Sequence, residues 1–222
     1  MHMAADQAQA RSHRGIAIVG LLVLPLLFVP TVAISTLGEP GFEAPAREAV
    51  TFLEAVGASS WAPFMSALQV LAAMTLLWWS VAFIRSFGRV AEERAWLPTA
   101  AIASMTVFAA YAVLASSWAT AAQLEEVGPE LALYAFDEGN LGFASSWLGL
   151  AGFALASGWA TLAEGWLPRW QGWLAVASAV GFVAARFVWT SQLWLVPYAL
   201  FWAWFVAANL VLLRRSTTAS RT

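Results

Sequence analysis

Six apolar stretches, at 15–37, 61–84, 97–120, 140–163, 172–191 and 193–213, constrain this chain more than anything else in it. A helix needs about 20 apolar residues to cross the roughly 30 Å of hydrocarbon in a bilayer, and each stretch is of that length. Because lipid offers backbone groups no water, a run of this kind satisfies its own peptide groups as a helix. The alternative, a soluble core, fails on composition. With 61% hydrophobic and 11% charged residues in 222, there is too little polar surface to clothe a water-soluble fold. The expected fold is therefore all-α, an integral membrane bundle of six transmembrane helices forming one domain over 15–213. Tails at 1–14 and 214–222 flank it. The first run follows Arg11, His13 and Arg14 but is longer than the 7 to 15 residues of a cleaved signal segment, so it reads as an anchor. Pro25 and Pro30 inside it predict a kink.

Arginine placement predicts orientation. Arg11, Arg14, Arg85, Arg89, Arg94, Arg169, Arg214, Arg215 and Arg221 fall on one side of a six-span arrangement, Arg47 falls on the other, and Arg186 lies within a span. The positive-inside rule then puts both termini in the cytoplasm. Glu39, Glu43, Glu48, Glu54, Glu125, Glu126, Glu130, Asp137 and Glu138 all fall on the outer side.

Several chemistries lack the residues they need. The chain has no cysteine, and its eleven basic residues are all arginine, so disulfides, thiolate metal sites and a lysine Schiff base are excluded. His2 and His13 precede the first apolar run, which leaves no histidine for a membrane-buried haem, zinc helix or catalytic dyad. No cofactor and no catalytic residue is expected. A net charge of −2 without a basic patch gives no reason to expect nucleic acid.

Two outer loops carry helical signals. From Pro45 to Val56, the residues Ala46, Ala49, Val50, Leu53 and Val56 share one face and Arg47, Glu48, Thr51 and Glu54 the other, with Gly57 as a stop. A second short helix is expected over 129–138 before Gly139, forming an acidic cap. Both are read as outer interfacial helices. The outer carboxylates show no EF-hand spacing and read as a solvated face rather than a metal site.

Within the spans, Arg186 is the ionisable residue placed deepest, in the outer third of the hydrocarbon. A guanidinium there calls for a partner. Asp137, Glu138 and Asn140 at the outer end of the fourth run are the candidates for a structural ion pair, with an external anion or lipid headgroup as the other reading. The last run carries Trp194, Tyr198, Phe201, Trp202 and Phe205 as one aromatic stripe, which either packs against a helix or lines a site for a quinone, carotenoid or acyl chain. Trp61, Trp118, Trp189 and Trp194 on one side and Trp96, Trp166, Trp170 and Trp173 on the other form interfacial belts. Small residues at Ala177, Gly181 and Ala185, and at Ser145/Gly149 and Ala154/Gly158, predict close packing of the fourth and fifth helices.

The segment Leu167-Pro168-Arg169-Trp170-Gln171-Gly172-Trp173-Leu174, together with the Trp-rich last run ending Leu212-Leu213-Arg214-Arg215, resembles uncharacterised multi-pass membrane proteins of high-GC actinobacteria. The resemblance covers the last quarter of the chain and implies a place in a bacterial membrane without implying an activity. By exclusion, the expected function is non-enzymatic: an accessory or assembly subunit of a membrane complex, or a binder of lipid-like molecules. Its partners would be membrane lipids, other membrane proteins or further copies of itself. The alternative class is a small-solute transporter, which needs polar groups near the midplane; Gln69, Asn209 and Arg186 are what the runs offer.

Overall fold

A computed structural model describes residues 2–87, 91–115, 119, 121–122 and 128–219, with the side chains of 2–8 and 218–219 excepted. The described residues form α1 (His2–Ser35), α2 (Ala46–Ala58), α3 (Ala62–Arg85), α4 (Trp96–Leu114), α5 (Pro129–Glu164), α6 (Arg169–Arg186) and α7 (Leu195–Ala219), and contain no strand. Single 3-10 turns at Glu92–Arg94 and Gln192–Trp194 lead into α4 and α7. Five segments are long and apolar enough to cross a membrane, those carried by α1, α3, α4, α5 and α7. α6 is shorter and more polar. Its 18 residues extend about 27 Å, begin Arg169-Trp170-Gln171 and end on Arg186.

Consecutive helices pack side by side, with α3 on α4, α4 on α5, α5 on α6, α6 on α7, and α1 touching both α7 and α3. The six helices thus close a ring, and α2 lies against α5 outside it. Adjacent ring helices alternate in direction. His13 of α1 meets Ser86 after α3, Arg94 before α4 meets Glu164 of α5, and Arg215 of α7 meets Trp166 after α5, so one end of the ring collects all these termini. Arg11, Arg14, Arg85, Arg94, Arg169, Arg214 and Arg215 lie at that end. Glu39, Glu43, Glu48, Glu54, Glu130, Asp137 and Glu138 lie at the other.

The centre is aromatic. Trp79 and Phe83 of α3, Phe153 of α5, and Phe201, Trp204 and Phe205 of α7 are fully buried against one another. Trp79 stacks on Phe83 at 4.7 Å and tilts against Phe205 at 4.4 Å, while Phe153 meets Trp204 edge-on at 5.8 Å. Inside lipid, apolar burial gives little drive for one helix to leave hydrocarbon for another. Tight contact does, and aromatic pairs of this geometry contribute about 0.5 to 1.5 kcal/mol each.

A second cluster surrounds α2, whose buried residues Ala49, Phe52, Leu53 and Val56 pack with Ile34, Ala62, Ala132 and Phe136. The helix over 45–56 expected from its amphipathic pattern is thus present one residue later and slightly longer. The separate helix expected over 129–138 is not. It is the first part of α5, a continuous helix of 36 residues or about 54 Å. Gly139 does not stop it because Ala132, Ala135, Phe136, Gly139, Asn140 and Gly142 form one buried stripe, and packing outweighs the roughly 1 kcal/mol that glycine costs a helix.

The small-residue faces divide differently from the expected pattern. On α5, a Cβ at Gly142 would meet Ala115, and at Gly149 it would meet backbone of Ser104 and Phe108, so this stripe serves α4. Of the α5 glycines only Gly158 meets α6, at Gly172, Ala175 and Val176. On α6, Ala177 is exposed, and Gly181 abuts Pro197 of α7.

Candidate functional site at the arginine-bearing end

Arg186 ends α6. It is half-buried and makes no ion pair or hydrogen bond among the described residues. The expected partners lie too far along α5. The chain reverses at 165–168, so the level of Arg186 on α5 is near residue 147, and Asp137 stands about ten residues, or about 15 Å, beyond it. Asp137 is exposed, Glu138 is half-buried, and Asn140 is buried with its amide Nδ2 unpartnered. The structure does not bring these four residues together. Glu125, Glu126 and Trp118 lie outside the described residues.

The aromatic stripe is packed into the bundle. Phe201, Trp202 and Phe205 are buried, and Trp194 and Tyr198 are half-buried among Phe143, Trp147 and Phe182. Phe42, in the connection after α1, covers this group with ring centroids 5.6 Å from Trp189 and 6.3 Å from Trp194. Rings at these separations pack against one another. Of the expected belt, Trp96, Trp170 and Trp173 are exposed, whereas Trp166 is buried.

Trp166 belongs instead to a polar site at the arginine-bearing end. A cavity of about 230 Å³ is lined by Gln9 and His13 of α1, Ser86 and Phe87 after α3, Glu164, Gly165 and Trp166 at the α5 terminus, and Arg215 of α7. Each position has a local cause. α1 buries Ala10, His13, Ala17 and Gly20, a helical spacing that turns the imidazole inward. Its Nε2 donates to the Ser86 carbonyl at 3.4 Å. α5 ends on Gly165 at φ 70°, a left-handed turn that suits glycine, and this reversal brings Trp166 back over the bundle. There it stacks on Phe87 at 5.0 Å and 7°. Arg215 donates to the Trp166 carbonyl at 2.8 Å and lies 5.6 Å from the centre of the Phe87 ring.

Charge in the site is unevenly shared. Glu164 accepts from Arg94 at 2.6 Å, and Arg94 also reaches Glu93 at 2.7 Å. Arg215 has a carbonyl and a ring face, both neutral, and makes no ion pair among the described residues. Partial exposure of the Arg94–Glu164 pair limits its worth. A double-mutant cycle with Arg94→Ala and Glu164→Ala, read by thermal unfolding in detergent, should give a small favourable coupling. Additive losses would show that the contact contributes nothing.

His13, Glu164 and Arg215 were not singled out by sequence reasoning, although buried Ala10, His13 and Ala17 at spacings of three and four form a legible inward face. No family model, curated protein or solved structure matches the chain.

Proposed function

We propose that the chain is a non-enzymatic multi-pass protein of a bacterial cytoplasmic membrane that acts by association, binding a lipid-like molecule or a partner within a membrane complex. In this reading all six ring helices cross the bilayer. α6 completes the ring as the short sixth crossing, with Arg169 and Arg186 reaching the two interfaces from its ends. The arginine-bearing end faces the cytoplasm, and α2 lies at the outer interface.

One observation carries the proposal: the ring is filled by aromatic side chains at its centre, while a polar cavity lies at one end. A transporter needs polar groups to meet a solute near the midplane. At the centre here stand Trp79, Phe83, Phe153, Trp204 and Phe205, and the buried Asn209 is engaged by Trp79 and by the Phe205 carbonyl. Purification of the intact chain in mild detergent, with mass spectrometry of bound lipids and proteins, should find a stoichiometric lipid or partner. Solute flux driven by the protein alone in liposomes would overturn the reading.

Orientation has its own test, made clean by the absence of native cysteine. Glu48→Cys should react with an impermeant thiol reagent in intact cells, and Arg85→Cys should be protected until the membrane is opened. The reverse pattern would invert the bundle.

A further inference from the structure

We infer that the cavity between α1, α7 and the ends of α3 and α5 is a binding site for a phosphate-bearing anion, supplied by the headgroup of an anionic phospholipid. This rests on the proposed placement of the bundle in a membrane, and it adds which end binds and through which residues.

The argument begins with charge. Glu164, the carboxylate in the lining, is paired with Arg94, which Glu93 also reaches, and among the described residues it makes no ion pair with Arg215. Arg215 keeps its full charge because a guanidinium does not deprotonate in a protein. Its contacts, the Trp166 carbonyl and the Phe87 ring, orient that charge without cancelling it. A guanidinium with no ion pair among the described residues, at the edge of a low-dielectric slab, favours an anion.

Hydrogen-bond capacity points the same way. Arg215 has five N–H groups, of which the Trp166 carbonyl engages one, and Gln9 contributes an exposed amide. The Trp166 indole N–H is buried and makes no hydrogen bond among the described residues. The Ser86 carbonyl accepts from His13, the Trp166 carbonyl from Arg215, and one oxygen of Glu164 from Arg94. The free N–H groups of Arg215 and the amide of Gln9 can serve an oxyanion, and phosphate oxygens match the guanidinium fork.

The site is also built in advance. Phe87 and Trp166 stack nearly parallel, and Arg215 is held against both residues, so little side-chain freedom remains to be lost when an anion arrives. The same stacked pair gives the cavity an apolar wall. That wall suits an amphiphile, whose phosphate is carried on a hydrocarbon body, better than a fully hydrated ion.

The test uses the intact chain in mild detergent. Phosphatidylglycerol, phosphatidylcholine and inorganic phosphate are titrated separately, and binding is read by the thermal midpoint and by retained lipid in native mass spectrometry. Phosphatidylglycerol should raise the midpoint and stay bound, while phosphatidylcholine should do neither. Arg215→Gln should weaken the response by about tenfold or more. Arg85→Gln, at an exposed arginine outside the cavity, should leave it unchanged. If Arg215→Gln does not fold, Gln9→Glu places a negative charge at the exposed rim and should weaken binding in its stead. A matching response to inorganic phosphate would keep the site and make its source a free anion. Equal responses to the two lipids, or unaltered binding in a folded Arg215→Gln or Gln9→Glu protein, would overturn the inference. Liposome flux, which tests the wider function, plays no part in this titration, so each idea can fail without the other.

Discussion

Gly149→Val is expected to unfold the protein in detergent at markedly lower temperature, with a loss of about 3 kcal/mol or more. The reason lies in the seam between α4 and α5. A Cβ at Gly149 would be built against the Ser104 carbonyl oxygen and the Phe108 backbone nitrogen, which cannot yield unless the whole of α4 moves. Overpacking of side chains usually costs about 1 to 3 kcal/mol because neighbours rotate away; here backbone blocks the route. Alanine at the same position should already destabilise, since the roughly 1 kcal/mol that alanine gains over glycine in a helix is smaller than the cost of parting two helices. Two other glycines bracket the effect. Gly152 faces the Ser104 side chain, a rotatable obstacle, so Gly152→Ala should cost less. Gly15 has nothing within 4 Å, and Gly15→Ala should be neutral or stabilising by up to about 1 kcal/mol. Unfolding midpoints for the four variants should therefore rank Gly15→Ala highest, then Gly152→Ala, Gly149→Ala and Gly149→Val. If Gly149→Ala melts with Gly15→Ala, the close approach of α4 and α5 is not real.

The same seam marks where sequence reasoning stops. That small residues recur along the fourth run is legible, and so is their meaning, that another helix comes close. Which helix it is cannot be read, because a member of a closed ring has a neighbour on each side and a spacing of three or four residues fits both. Gly149 serves the helix before it and Gly158 the helix after it, yet they differ by only nine positions. The helices themselves were legible for a firmer reason, since hydrocarbon demands long apolar stretches and α3, expected over 61–84, is found over Ala62–Arg85. α2 was legible through its two-faced pattern. The length of α5 was not, because Asp137, Glu138 and Gly139 look like a loop until the buried stripe on their helix is known.

The site was hidden by distance along the chain. Gln9, Ser86, Glu164 and Arg215 come from four helix ends and meet only after the ring closes. Arg186 drew notice because it sits among apolar residues, but a run of sequence does not reveal where its helix will stop. With α6 ending there, the guanidinium stands at an end of the helix and makes no ion pair among the described residues. Arg215 looked like an ordinary inner-side charge and is instead the cation that the fold holds in place.

At the centre of the ring, substitutions at Gly20 and Asn209 should be strongly coupled. Asn209 is fully buried on α7; its Oδ1 accepts from the Trp79 indole at 3.0 Å, and its Nδ2 donates to the Phe205 carbonyl at 2.9 Å. Gly20 on α1 leaves the space that this pair occupies, and a Cβ there would collide with both Asn209 Oδ1 and Trp79 Nε1. Hydrogen bonds between helices in lipid are worth only about 0.6 kcal/mol on average and up to about 1.7. Steric exclusion should therefore dominate, and Gly20→Ala should cost about 2 to 3 kcal/mol, more than the bond alone is worth. Asn209→Ala should cost a similar amount, through the lost bond, a buried indole N–H left unpaired and the space vacated. The two losses should not add. Once the amide is gone, the alanine methyl at position 20 enters the space it held, so the double variant should retain about 1 to 2 kcal/mol relative to the sum, within the range of coupling for residues in contact. Trp79 fluorescence is masked by the other tryptophans, so thermal midpoints in one detergent are the measurement. Strict additivity would mean that α1 does not pack against the Trp79–Asn209 pair, and the ring would then be open between α1 and its neighbours.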